Sequence, residues 1–183
     1  TWIDKDGKTR IPDEKTAKEI VSAVTGREGE VLEVSTERKR VPPPLLYDLT
    51  TLQREANARY GFTAQKTLNL AQALYEKHKL LTYPRTDSRY LSDDIVPTLS
   101  ERLRAMRVGS LSAPANDVLR SGAKIHASCV NNAKVSDHHA IIPTEKVPDF
   151  SSFTTDEKKI YLLVALRFLC CFMPDYTYKQ VKA

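Results

Sequence analysis

Residues 42–92 read PPPLLYDLTTLQREANARYGFTAQKTLNLAQALYEKHKLLTYPRTDSRYLS. The stretch predicts two helices followed by extended chain. Asp48 to Arg59 forms the first helix, broken at Gly61. Thr63 caps the second, with Lys66 rather than a glutamate at the box position, so the cap is an ordinary hydroxyl cap. Leu68, Ala71, Leu74 and Tyr75 recur at helical spacing and form its buried stripe. At Leu80 the pattern changes. A residue before proline is pushed out of the α region, and proline fixes its own φ, so Tyr83-Pro84 reads as extended chain.

In extended chain, positions i and i+2 point to one side. Tyr83 and Arg85 therefore face one space together. A phenol beside a permanently charged planar fork suits phosphodiester transfer: the phenolate attacks phosphorus and the guanidinium grips phosphate oxygens in bidentate fashion. By themselves the two residues have blander uses, since a tyrosine in a short apolar run ordinarily packs and an arginine two along is ordinarily solvated. Asp87 and Ser88 have cheap local roles, orienting Arg85 or capping the next turn.

Residues 1–41 read as strand, turn, helix, strand. Asp6-Gly7 marks a turn, Pro12-Asp13 opens a helix with apolar Ala17, Ile20, Val21 and Val24, and Gly26 ends it. Glu30 to Val41 alternates like a strand, and its Glu37-Arg38-Lys39-Arg40 run reads as a solvated edge. Pro42-Pro43-Pro44 is a stiff linker, a hinge between modules rather than a ligand for a proline-recognition domain. Downstream, Ser92-Asp93-Asp94 caps a helix to about Met106, and Leu111 to Leu119 forms a weaker one. Lys124 to Lys146 lacks periodicity and predicts a long ordered loop. Thr155 to Phe172 is a strong helix with Ile160, Leu163, Val164, Arg167, Phe168 and Cys171 around its buried side. Tyr176 to Val181 is strand-like. The fold class is α+β, dominated by helices after Pro44.

The 42–92 stretch closely resembles the region around the active-site tyrosine of type IA DNA topoisomerases, in the bacterial topoisomerase III branch. A second block, Ser136-Asp137-His138-His139-Ala140-Ile141-Ile142-Pro143-Thr144, resembles that family's histidine motif, and the two stand in the family's order about fifty residues apart. The resemblance implies that Tyr83 cuts one DNA strand and keeps the 5′-phosphate as a phosphotyrosine, with Arg85 on the phosphate. Another strand passes through the gap, and the break is resealed. It makes His138 the motif histidine on a DNA phosphate, better as imidazolium, with His139 a weaker candidate and Asp87 a further DNA-side residue. It also implies three parts: 1–43 belongs to a β-rich arch domain, 44–172 is the helical tyrosine domain, and 173–183 returns into the arch.

The family's metal-binding domain carries a glutamate, a lysine and an Asp-x-Asp-x-Glu cluster, none of which is found in this sequence. Asp4 and Asp6 lack the following Glu, Asp93-Asp94 are adjacent rather than alternate, and the family's Gly-Arg-Val-Gln-Thr-Pro segment is missing. The expectation is an interior piece of a larger enzyme, beginning mid-strand at Thr1-Trp2-Ile3 and inactive by itself. No base for Tyr83 is evident locally. A phenol of pKa near ~10 needs positive charge beside it; Arg85 gives part, and the resemblance implies that a lysine and Mg²⁺ of the missing domain give the rest.

Composition is compatible with this. The 183 residues suffice for one sizeable core plus a small module. The 41% hydrophobic content is low for a globular domain but too rich for disorder, and the net charge of +5 favours a polyanionic partner. No apolar run approaches the ~20 residues of a membrane span, and no signal peptide is visible. Cys129, Cys170 and Cys171, odd in number with two adjacent, argue against a disulfide framework and for a reducing compartment, the cytoplasm. A zinc site from His126, Cys129, His138 and His139 matches no common spacing. The expected partners are single-stranded DNA and the remaining domains of a monomeric enzyme. The rival is a non-catalytic single-stranded DNA-binding module, which would want stacking aromatics on strands; Tyr47, Tyr60, Phe62, Tyr75 and Tyr90 are scattered and mostly helical. A protein-interaction domain has only the proline run in its favour.

Overall fold

The computed structural model describes Ile3 and residues 6–182. Six α-helices, α1 (Glu14–Val24), α2 (Leu49–Tyr60), α3 (Ala64–Glu76), α4 (Leu99–Ala105), α5 (Ser112–Arg120) and α6 (Thr155–Cys170), accompany strands β1 (Ser35–Val41) and β2 (Tyr176–Lys182), which pair as a two-stranded antiparallel sheet. The fold is α+β. The chain divides into one unit of residues 1–39 with 178–183 and a second of residues 40–177.

In the first unit, Asp13 caps α1 by accepting from Thr16 N–H at 2.8 Å, and Gly26 beyond the helix takes a positive φ. Ala17 and Ile20 are half-buried, while Val21 and Val24 are exposed. The strand predicted from Glu30 is shorter: residues 30–34 are irregular, and pairing begins at Ser35. Alternation supplies two faces, but a strand exists only where a partner takes its backbone groups, and β2 is seven residues long. The predicted opening strand at Thr1-Trp2 lies outside the described residues.

The second unit holds the core. Asp48 and Thr51 form a reciprocal capping box at the start of α2. Gly61 ends the helix at φ 67°, a conformation that a side chain would strain. Thr63 caps α3, and Thr154 with Glu157 forms the capping box of α6. Helix α3 packs on α2 and α6, and α4 packs on α5. Leu52, Ala71, Leu74, Leu103, Ile160, Val164 and Phe168 are sealed between them.

Three predictions change in detail. The helix placed at 93–106 begins later: residues 93–95 form a turn, 96–98 a 3₁₀ turn, and α4 starts at Leu99. Pro97 has no N–H to continue a helical ladder, and the Asn132 side chain takes the Asp93 N–H at 2.9 Å. Tyr75, assigned to the buried stripe of α3, is only half-buried and faces Tyr83 on the segment that follows. Arg167, assigned to the buried side of α6, is half-buried and reaches across to the Leu45 carbonyl and the Tyr47 hydroxyl.

Residues 124–146 form an ordered loop carrying two 3₁₀ turns, Ala127–Cys129 and Asn132–Lys134. Isolated bridges tie it in: Val130 pairs with Leu91, Ile141 with Tyr47, and Pro143 with Leu81. Among the described residues no helix is long and apolar enough to cross a membrane. The three cysteines are free thiols.

Candidate active site

Helix α3 ends by placing Lys79 in the left-handed region, φ 58°, while Leu80 N–H closes back on the Leu74 carbonyl at 2.8 Å. His78 N–H closes 6→1 on the Ala73 carbonyl at 3.1 Å, the Leu80 bond reaches one residue further, and non-helical chain follows from Leu80 to Tyr90. From Pro84 to Ser88 the segment alternates: Pro84, Thr86 and Ser88 are buried, whereas Arg85 and Asp87 are exposed; Tyr83 and Arg89, at the ends of the same odd-numbered row, are half-buried.

The even-numbered side chains are structural. Thr82 Oγ1 donates to the Ala140 carbonyl at 3.1 Å and accepts from Ile142 N–H at 2.9 Å. Thr86 Oγ1 donates to the His138 carbonyl at 2.9 Å. Ser88 Oγ donates to the Lys134 carbonyl at 2.8 Å. Backbone bonds run alongside, from Thr82 N–H to Ile142 O, Thr144 N–H to Leu80 O and Ala140 N–H to Tyr90 O. The two sequence blocks thus lie side by side, one stitched to the other.

The outward side chains meet at one face. The Tyr83 ring lies 4.4 Å from the His138 imidazole, centroid to centroid, and stands edge-on to Tyr75 at 5.6 Å. Such edge-on contacts fix ring orientation. Arg85 Nη2 donates to Gln72 Oε1 at 3.1 Å. Gln72 and Tyr75 are three apart on α3 and so share a helix face; they hold the guanidinium and the phenol respectively. Among the described residues, no side chain hydrogen-bonds the Tyr83 hydroxyl.

The adjacent histidines part company. His138 is exposed beside Tyr83, while His139 is half-buried with Nδ1 2.7 Å from the Ala140 carbonyl. Burial pushes the His139 imidazole below its ordinary pKa, with the Arg102 and His138 charges acting the same way against the Ala140 bond and Asp94. Arg102 is buried and braces the loop from behind, donating to the Pro143 carbonyl at 2.9 Å and pairing with Glu145 at 2.6 Å. Asp87 is exposed; Gln72 holds Arg85, and Thr86 Oγ1 rather than a carboxylate accepts from Ser88 N–H. His126 faces Asp175 and Ser128, apart from the His138–Tyr83 contact. Among the described residues no three of His, Cys, Asp and Glu gather as a metal site.

Sequence reasoning missed Gln72, Tyr75 and Thr82 as parts of the site. Gln72 carried no signal, being one polar residue on a helix; Thr82 stood one residue before the tyrosine, where a hydroxyl on the opposite side of an extended chain is a natural anchor.

A phenol and a guanidinium thus lie against one face of α3, with an imidazole brought across by a second block. A profile of the DNA topoisomerase family matches residues 2–183, and the chain belongs to that family, in its type IA class. It is 49% identical over 181 residues to DNA topoisomerase 3 of Bacillus anthracis, covering 99% of this chain and 25% of that protein. To DNA topoisomerase 3 of Bacillus subtilis (strain 168) it is 47% identical over 183 residues, covering 100% of this chain and 25% of that protein. The structure of full-length topoisomerase I from Thermotoga maritima superimposes with a TM-score of 0.65 at 29% identity, over 95% of this chain and 27% of that one. The chain spans about a quarter of the length of these relatives.

Proposed function

We propose that this chain is the tyrosine-bearing part of a topoisomerase III-like enzyme that cuts one DNA strand through a 5′-phosphotyrosine, passes a strand and reseals the break. The observation that carries the reading is the 4.4 Å approach of His138 to the Tyr83 ring, with Arg85 held on the same face of α3. Tyr83 Oη forms a bond to phosphorus as the P–O3′ bond breaks; the phenol loses its proton and the departing 3′-oxygen gains one. Arg85 neutralises phosphate charge in the transition state, and His138 donates a ring N–H to a neighbouring phosphate oxygen. Resealing is the same step reversed, the 3′-hydroxyl attacking the phosphotyrosine.

Residues 44–172 are the tyrosine domain in this reading, and 1–43 with 173–183 are part of the supporting arch. Magnesium is the cofactor of the full-length enzyme, but the residues described here do not fit a metal site, and no step above passes through one. The remaining domains of a monomeric enzyme in the bacterial cytoplasm complete it, with single-stranded DNA as the favoured partner. The 183-residue chain by itself leaves supercoiled plasmid unchanged.

The test is a 3′-labelled single-stranded oligonucleotide incubated with the full-length enzyme and denatured with detergent. The wild type and Tyr90→Phe give a labelled covalent adduct, and Tyr83→Phe gives none. An adduct persisting in Tyr83→Phe removes the nucleophile assignment; no adduct in any of the three, with the oligonucleotide still bound, leaves a binding module without chemistry.

A further inference from the structure

A cleft of about 450 Å³ opens beyond the tyrosine site between α2, Arg89 and the C-terminal half of α6. Its walls carry four guanidinium groups, Arg54, Arg59, Arg89 and Arg167, against one carboxylate, Glu55, and Tyr47 lies among them. Glu55 is shared: Arg59 holds it with Nε at 2.8 Å and Nη2 at 2.7 Å, keeping Nη1 open among the described residues, and Arg167 pairs with it on the other side while donating to Leu45 O and Tyr47 Oη. Arg167 is therefore committed to the scaffold. Arg89 donates only its Nε, to the Leu46 carbonyl at 3.3 Å, so both its Nη groups stay open among the described residues. Arg54 is exposed and makes no bond among the described residues.

Two of these guanidinium groups, Arg54 and Arg89, have no carboxylate partner among the described residues, and four arginines against one glutamate leave the concavity positively charged. Like charges held together repel, and the arrangement is sustained when an anion is the usual occupant. Planar forks with free Nη groups match phosphate oxygens in particular. The position of Arg89 says which phosphates. It stands in the same odd-numbered row as Tyr83, Arg85 and Asp87, with buried Thr86 and Ser88 between. Six residues of chain reach at most ~22 Å, a few nucleotide steps from the tyrosine.

We propose that this cleft is a second phosphate-binding site, which takes the sugar–phosphate backbone of the single strand that passes Tyr83 and Arg85. The inference rests on the topoisomerase reading above. Arg54, Arg59 and Arg89 contact phosphates here; Tyr47, Glu55 and Arg167 form the wall that spaces them. These contacts carry no base information and set affinity and register.

The test measures single-stranded oligonucleotide affinity of the 183-residue chain against salt concentration. Each phosphate contact on a single strand contributes about 0.7 to the slope of log K on log salt, so Arg54→Gln/Arg59→Gln lowers the slope by about 1.4, and adding Arg89→Gln lowers it by about 0.7 more. Arg54 and Arg59 are exposed, so the double variant keeps its helices, which circular dichroism checks. Arg120→Gln, at an exposed arginine of α5 already paired with Asp117, leaves the slope unchanged. A slope unaltered by the double variant, or altered equally by Arg120→Gln, overturns the site. The adduct assay separates this from the parent reading: adduct formation with an unaltered slope sinks the cleft alone, whereas a fallen slope without any adduct keeps the cleft as a phosphate site and sinks the nucleophile.

Discussion

Replacing Thr82 by valine should cut the stitch between the two blocks while keeping side-chain shape. Thr82 Oγ1 accepts from Ile142 N–H at 2.9 Å and donates to the Ala140 carbonyl at 3.1 Å. The consequences differ. The Ala140 carbonyl still has His139 Nδ1 at 2.7 Å, but Ile142 is fully buried and its N–H has no other partner among the described residues. A buried donor left unsatisfied costs about 1–3 kcal/mol, so we expect a loss of about 2 kcal/mol from the 40–177 unit. With a urea dependence of about 2 kcal/mol per molar, the midpoint followed by helix ellipticity falls by about 1 M. The Ile142 amide, read by hydrogen exchange, loses about thirty-fold in protection, the same free energy expressed as a ratio. Thr82→Ser keeps the hydroxyl and separates the lost bond from the lost methyl. Equal midpoints for Thr82→Val and Thr82→Ser, with Ile142 protection intact, would refute the claim that this hydroxyl joins the histidine block to the tyrosine segment.

Three other outcomes follow from the same geometry. Burial pushes the Glu157 carboxyl upward, but bonds from Thr154 N–H and Oγ1 and from His78 outweigh it and hold the group below the usual range; its stabilisation is present above the unfolded carboxyl pKa and lost as pH falls through the folded one, so Glu157→Gln flattens the acid side of the stability curve below about pH 4.5. Arg85→Lys keeps the charge but loses the fork, and cleavage by the full-length enzyme falls about ten-fold or more; wild-type rates would return Arg85 to an ordinary surface role. His138→Ala weakens single-strand binding more than His139→Ala does, and nitrogen-15 NMR finds His139 titrating below the ordinary histidine value; the opposite ranking of the two variants would move the phosphate contact to His139.

What was legible in the sequence was local. Asp48, Gly61 and Thr63 announce helix ends because a cap needs only its own next turn, and the proline after Tyr83 sets the backbone whatever packs behind it. What was illegible depends on residues far away in the chain. The delayed start of α4 follows from Asn132, thirty-nine positions on, taking the Asp93 amide. Tyr75 has core spacing but faces outward because the chain turns back at Lys79 and sets Tyr83 against it. Val31 and Leu32 belong to an alternating run that no strand among the described residues completes, and both are exposed. Tyr83, Arg85 and His138 could be picked out as residues; that the imidazole comes to the phenol ring required the fold.

The two-residue period of extended chain explains how one short segment serves both scaffold and chemistry. A helix at this place would spread its side chains over a full circle, and anchoring it would consume the same face that reaches substrate. In Thr82–Arg89 the roles separate by parity. Thr82, Thr86 and Ser88 spend their hydroxyls on the carbonyls of Ala140, His138 and Lys134, and each anchor fixes the outward residue beside it. Hydroxyls suit the inward side because they satisfy buried carbonyls without bringing charge into the core. Tyr83 and Arg85 then need no bonds to the histidine block, and their polar ends stay free for a ligand apart from the single bond to Gln72. Precision at a reacting atom comes from locked neighbours, so weakening the even-numbered anchors should lower cleavage before it unfolds the chain, with Thr82, next to the tyrosine and bonded at both ends, felt first.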